Sequence, residues 1–234
     1  GEHAGGLTHN ALIPFQDGSY LELIAFRSAE TAANPASLQP VPELWRRFEH
    51  RRALGEGLVD FALASRSLEA EILRLNERGL DFTGPSAGGR LRPDGRELRW
   101  LTAIPRSFDL PFLIEDLTPR SLRVPGGPTA HHENGALGIA EVTVITNDLQ
   151  SSIRRYDLLF GAKRLAPSAL EPDRGLKYSA GNASVSLAGP NPADLGGPEA
   201  VDRPNSIELF AIESKGLLTG PATHWATIAL RAKD

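Results

Sequence analysis

A handful of side chains in this chain could do chemistry. His9 sits in a β-rich run, Thr8-His9-Asn10-Ala11-Leu12, where an imidazole can ligate a metal or act as a general base. Its plainer role is that of a hydrogen-bonded structural histidine. Glu22, Glu115 and Glu208 fall on expected strands. A strand carboxylate that faces inward needs a partner, either a hard cation such as Mg2+, Mn2+ or Ca2+ or an arginine. Glu22 and Glu115 are the candidate catalytic carboxylates. His131 and His132 are adjacent, and neighbours on a strand point to opposite faces, so they do not readily share one metal. His132 is the pocket candidate. Arg90 and Arg92 precede a Pro93-Asp94-Gly95 turn. Arginine holds carboxylates and phosphates bidentately, so Arg90 is expected to orient an anionic substrate group, with Asn10 as a further polar contact. Trp100 and Phe112 could form an apolar wall, although the default role of an aromatic is core.

Several functions are excluded. The chain has 234 residues and no cysteine, so it has no disulfide framework, thiol nucleophile or Cys-based zinc site. A formal charge of −4 and a pI near 5.9 argue against nucleic acid or a membrane surface as partner. No apolar run approaches the roughly 18 residues of a membrane span. No Gly-x-Ser-x-Gly elbow, P-loop or His-Glu-x-x-His is present. The arginines at 46, 47, 51 and 52 are interspersed with glutamates and read as a solvated helix face.

The elements that must position these residues are strands with a few helices. His9–Phe15 and Tyr20–Phe26 flank an Asp17-Gly18 turn and read as a hairpin. Residues 28–42, rich in proline, read as a loop, and 43–54 as a short charged helix. Leu58–Ala64 is expected as a strand. Ser67 can cap a helix whose Leu68, Ile72 and Leu75 share one face. Strands are expected over 84–91, 97–104 and 112–116. The pattern returns 81 residues on, since Ser67-Leu68 aligns with Asp148-Leu149. Here a strand at 139–146 leads into a helix with Leu149, Ile153, Tyr156 and Phe160 on one face. Strands follow at 176–179, 183–188, 207–212 and 224–230, with a surface loop over 189–204. The fold class is α+β, built from a repeated strand–helix–strand–strand–strand unit. Residues 1–57 are the remainder of a first unit plus a linker, 58–130 a second unit and 131–234 a third.

Five stretches in order carry a resemblance: Thr8-His9-Asn10-Ala11-Leu12, Tyr20–Ala25, Arg90–Gly95 with Leu98-Arg99-Trp100, Pro111–Asp116, and His132–Ile139. Together they resemble the glyoxalase-like domain family of the vicinal oxygen chelate superfamily (the glyoxalase, bleomycin resistance and extradiol dioxygenase fold). The resemblance implies βαβββ modules forming curved mixed sheets around a cleft. It implies a small oxygenated ligand there, a divalent metal (Mn, Ni, Zn, Mg or Fe) as Lewis acid, and lyase, isomerase or dioxygenase-related chemistry if the protein is an enzyme. His9 and Glu22 are the metal candidates on this reading. The alternative is a metal-free protein that binds or sequesters a small molecule. The family's first ligand lies eight residues before the Leu that opens each helix, which gives Asp60 and Glu141, and neither is His. A homodimer and a cytoplasmic location are also expected. The first module is expected to begin near its third strand, and the chain contains no methionine, so the natural protein is expected to extend upstream of Gly1.

Overall fold

The computed structural model describes residues 8–26, 42–52, 56–162, 164–165, 176–189, 202–213, 216–218 and 227–233. Most of the proline-rich segment 28–42 and of the 189–204 loop lies outside them, as do 53–54 of the expected first helix and 224–226 of the expected last strand. The described residues form three sheets of two, four and seven strands, an α+β arrangement of open, curved mixed sheets with few helices.

Strands β1 (Thr8–Pro14) and β2 (Tyr20–Phe26) form an antiparallel hairpin. Its turn is fixed by Asp17, whose Oδ1 accepts from the Ser19 amide at 2.8 Å and the Ser19 hydroxyl at 2.6 Å. Gly18 takes the left-handed conformation, φ +82°, which glycine adopts without steric cost. Helix α1 (Pro42–Arg52) follows and begins at a proline, a residue suited to a first helical turn.

The second unit is β3 (Ala62–Ala64), α2 (Leu68–Glu77), β4 (Phe82–Leu91), β5 (Glu97–Pro105) and β6 (Phe112–Asp116). Its sheet order is β3-β6-β5-β4, with β3 parallel to β6. Leu68, Ile72 and Leu75 are the buried face of α2. They pack on Ala103 and Leu113 of the sheet in one apolar cluster. The strand expected from Leu58 pairs only from Ala62, while Asp60 accepts from Arg47 at 2.8 and 2.9 Å. Arg47 also donates to the Ser107 carbonyl at 2.9 Å and the Leu110 carbonyl at 2.7 Å. Arg46 is exposed, but Arg47 is only 2% exposed. The solvated basic face expected for this helix therefore fails at Arg47: a guanidinium can satisfy a carboxylate and several loop carbonyls at once, which the charge pattern along the helix does not reveal.

A short helix α3 (Arg120–Arg123) and a 3-10 turn (Gly127–Ala130), neither expected from the sequence, lead to the third unit. This comprises β7 (Ala136–Ile145), α4 (Leu149–Phe160), β8 (Arg164–Leu165), β9 (Lys177–Ala180) and β10 (Ala183–Ala188). Asp148 caps α4 through the Ser151 amide at 3.0 Å, and Gly161 ends it at φ +69°. Strand β10 runs parallel to β7, so the strand that closes this unit is 183–188 and not 207–212. The latter belongs to β11 (Arg203–Ala211), which pairs antiparallel with the opposite edge of β7. The alternation of Ile207, Leu209 and Ala211 suits either edge equally. Strands β12 (Gly216–Leu218) and β13 (Thr227–Ala232) complete the order β12-β13-β11-β7-β10-β9-β8.

Candidate functional site

Register decides which side chains can meet. In the hairpin, Asn10 pairs with Ile24, Leu12 with Glu22 and Pro14 with Tyr20. Directly opposed residues share a face, so Asn10, Tyr20 and Glu22 share one. His9 pairs with Ala25 and belongs to the other face. His9 and Glu22 are therefore not brought together.

In the four-stranded sheet, Arg90 pairs with Leu98, Gly88 with Trp100, and Trp100 with Asp116. These residues occupy the face away from α2, because Ala103 and Leu113 pack on the helix from the other. By the same alternation Phe112 shares the face of Asp116, and it is half-buried. The Trp100 indole lies directly over Gly88, where a Cβ would collide with it.

Two polar links join this face to the hairpin. At one, Arg90 Nη1 donates to Asn10 Oδ1 at 3.3 Å, and Asn10 Nδ2 donates to Glu22 Oε1 at 2.5 Å. At the other, Arg123 donates to the Tyr20 hydroxyl at 2.6 Å and bidentately to Asp116 at 2.5 and 2.9 Å. Arg120 also reaches Asp116 at 3.1 Å, and donates to the Gly18 carbonyl at 2.8 Å. Both guanidiniums lie over the Tyr20 ring, with carbons 5.3 and 5.7 Å from its centroid. Burial pushes the Tyr20 phenol up, and Arg123 offsets only part of that. Beside Arg120 lies a hollow of about 440 Å³ lined by Phe15, Gln16, Val124 and Gly127.

Asn10, Glu22 and Arg90 thus meet where the hairpin packs on this sheet, and Trp100 and Phe112 lie on the sheet face turned to it. Glu115 does not. Its register partner is Leu101, on the helix side, and its Oε2 accepts from the Leu68 amide at 2.7 Å. It caps α2 in place of Ser67, whose side chain makes no cap bond. His132 reaches the Pro14 carbonyl at 2.8 Å and packs beside Phe15, with ring centroids 5.2 Å apart. It ties the third unit to the end of β1. The sequence reading missed Tyr20, Asp116, Arg120 and Arg123. Asp116 was legible in principle, because alternation along Leu113-Ile114-Glu115-Asp116 puts the two carboxylates on opposite faces.

The two positions offered by the family's ligand spacing are also occupied by protein partners. Asp60 is bound by Arg47. Glu141 is 4% exposed, and it receives Lys177 Nζ and the Ser186 hydroxyl. Its register partner is Glu208, which pairs with Arg231 at 3.3 Å. Among the described residues no three His, Asp or Glu side chains converge. The carboxylates here are matched by guanidinium and ammonium groups, and this donor set does not fit a divalent metal.

The glyoxalase-like domain family matches residues 1–160. The chain belongs to that family. A hypothetical protein from Staphylococcus aureus has the same fold, with a TM-score of 0.76 at 14% identity over 100% of this chain and 88% of that one. A xylose isomerase-like TIM barrel/4-hydroxyphenylpyruvate dioxygenase fusion protein aligns over 93% of this chain and 33% of its own, at 13% identity and a TM-score of 0.40. Likeness at that level carries no argument. None of the characterised proteins compared with the chain matches it. Among the described residues no helix is long and apolar enough to cross a membrane.

Proposed function

We propose that this glyoxalase-like protein binds a small oxygenated acid in the cleft between the hairpin and the four-stranded sheet. The observation that carries the reading is Arg90. It is half-buried on the cleft face and bonds the neutral Asn10 amide. Among the described residues it meets no carboxylate. Asn10 is oriented by giving its NH2 to Glu22, which turns its carbonyl oxygen to Arg90. A guanidinium held this way keeps donors for a ligand carboxylate, the pairing arginine makes best. Trp100 supplies the apolar wall. Tyr20, Arg120 and Arg123 form a polar end, and Phe112 lies on the same sheet face.

Metal-free binding is favoured over a metal-assisted lyase or isomerase, or a dioxygenase-related reaction, because Asp60 and Glu141, the carboxylates at the family's ligand spacing, are held by Arg47 and Lys177. Glu22 is nonetheless exposed at the cleft, and it remains the carboxylate for proton transfer if the site is catalytic. A cytoplasmic location and a homodimer belong to the same proposal, the latter checked by analytical ultracentrifugation.

Calorimetric titration with pyruvate, lactate and glyoxylate after treatment with a chelator tests the reading. Binding is expected in the chelated protein, weakened about tenfold or more in Arg90→Gln, as loss of a charged hydrogen bond implies. Binding that requires added Mn2+, Ni2+, Zn2+, Mg2+ or Fe2+ and ignores Arg90→Gln would overturn it in favour of the metal-assisted enzyme.

A further inference from the structure

A second cavity lies on the helical side of the molecule, away from the cleft. It is a groove of about 350 Å³ at the seam between the second and third units. One wall carries Gly79, Asp81, Arg106 and Ser107, the other Ser151, Arg154 and Arg155, and the floor is Leu80, Leu110 and Leu158.

Hydrogen bonds across the seam hold the walls of the groove together. Arg155 clamps Asp109 bidentately, Nη2 to Oδ2 at 2.8 Å and Nε to Oδ1 at 3.0 Å, and that carboxylate is fully buried. The Tyr156 hydroxyl donates to the Asp109 carbonyl at 2.7 Å. Arg78 and Arg74 cross the same seam to the Leu158 and Leu159 carbonyls at 3.2 and 3.3 Å. Arg155 therefore has its Nε and Nη2 fixed by the protein, while its Nη1 bonds no described residue and is free to face the groove. Arg154 donates to the Ser151 hydroxyl at 2.6 Å and makes no direct bond to a carboxylate among the described residues, although it and Arg155 act on Asp148 through space. Arg106 reaches Asp81 at 3.4 Å, with both side chains exposed, a pairing that contributes little and is easily exchanged. Asp148, the other nearby acid, is turned to the Ser151 amide.

We propose that this groove is an anion site for a small phosphate monoester. Three guanidiniums with unused donors and two hydroxyls, Ser107 and Ser151, surround a space large enough for a phosphorylated small molecule. Arginine forks match phosphate oxygens, and the leucine floor suits the short carbon part. Because the walls come from different units, an occupant would bridge them and stabilise the folded chain.

The test is calorimetric titration with glycerol 3-phosphate and with inorganic phosphate, on wild type, on Arg106→Gln/Arg154→Gln and on Arg90→Gln. Arg106 and Arg154 are exposed, so their replacement leaves the fold intact, and circular dichroism checks this. Glycerol 3-phosphate is expected to bind wild type and Arg90→Gln equally, and to bind the double variant about tenfold or more weakly. It should also raise the melting temperature of wild type but not of the double variant. No binding to wild type, or equal binding to wild type and the double variant, would overturn the site. Loss of binding in Arg90→Gln alone would assign the phosphate to the cleft instead.

Discussion

Asp116 holds two guanidiniums at once, and this sets its acid behaviour. Burial pushes its carboxyl up, but Arg123 and Arg120 outweigh burial and hold it below the usual carboxylate range. Its contribution is complete above the unfolded value, about 3.9, and is lost as pH falls through the lower folded value. The melting temperature should therefore fall below about pH 4, and less steeply in Asp116→Asn, as thermal unfolding followed by circular dichroism can show. Tyr178 works at the other end of the scale. Burial and its hydrogen bond to Asp157 push its phenol up to about 12. The unfolded phenol ionises near about 10, so this stabilisation is present below pH 10 and disappears as pH rises through 12. Melting curves across that window should fall for wild type and fall less for Tyr178→Phe. At this scale the sequence names residue types well. Arg90 stands 80 residues from Asn10 in the chain and is joined to it by a hydrogen bond. Arg120 and Arg123 escape notice because α3, the short element that carries them, has no periodic signature.

Elements reveal why some of the suggestive residues are structural. Glu115 stands on β6 yet serves α2, whose first amide it accepts. Glu115→Ala should cost about 1 kcal/mol, the usual worth of a helix cap, and leave ligand affinity unchanged, since the side chain faces away from the cleft. Denaturant unfolding alongside titration separates the two effects. Arg47 anchors α1 to the loop between β5 and β6, paired with Asp60 at side-chain exposures of 3% and 4%. Arg47→Ala strands a buried carboxylate and should cost about 3–5 kcal/mol, read as a lower denaturation midpoint. Hydrophobic period made α2, α4 and the β4–β6 strands legible, and at α4 the Asp148 cap did as well. The edge chosen by β11 was not legible, because pairing on either side of β7 buries the same Ile207, Leu209 and Ala211.

Across the whole molecule, the hairpin is joined to the third unit as firmly as to the sheet it faces. The Asp17 amide donates to the Leu137 carbonyl at 3.2 Å, and the Ile139 amide to the Ser19 hydroxyl at 3.0 Å. The Asp17 carboxylate lies against Gly138 so closely that a Cβ there would overlap it. Gly138→Ala should therefore destabilise the chain by about 1–3 kcal/mol, the range for overpacking, although alanine normally suits a strand better than glycine. Differential scanning calorimetry checks the sign. The repeat of units was visible in the sequence through the spacing of two capped helices. Their relation in space depends on Arg155, Asp109 and His132, whose partners lie 46, 46 and 118 residues away, beyond the reach of local pattern.

The central claim is that the cleft recognises an oxygenated acid through its own arginine. A crystal structure of the chelated protein with the tightest-binding of pyruvate, lactate and glyoxylate tests it most directly. The account expects the ligand carboxylate within hydrogen-bond distance of the Arg90 guanidinium, between Asn10 and Trp100. A ligand bound elsewhere, or one held in a metal-reconstituted crystal through an ion on Glu22 with Arg90 untouched, would contradict it.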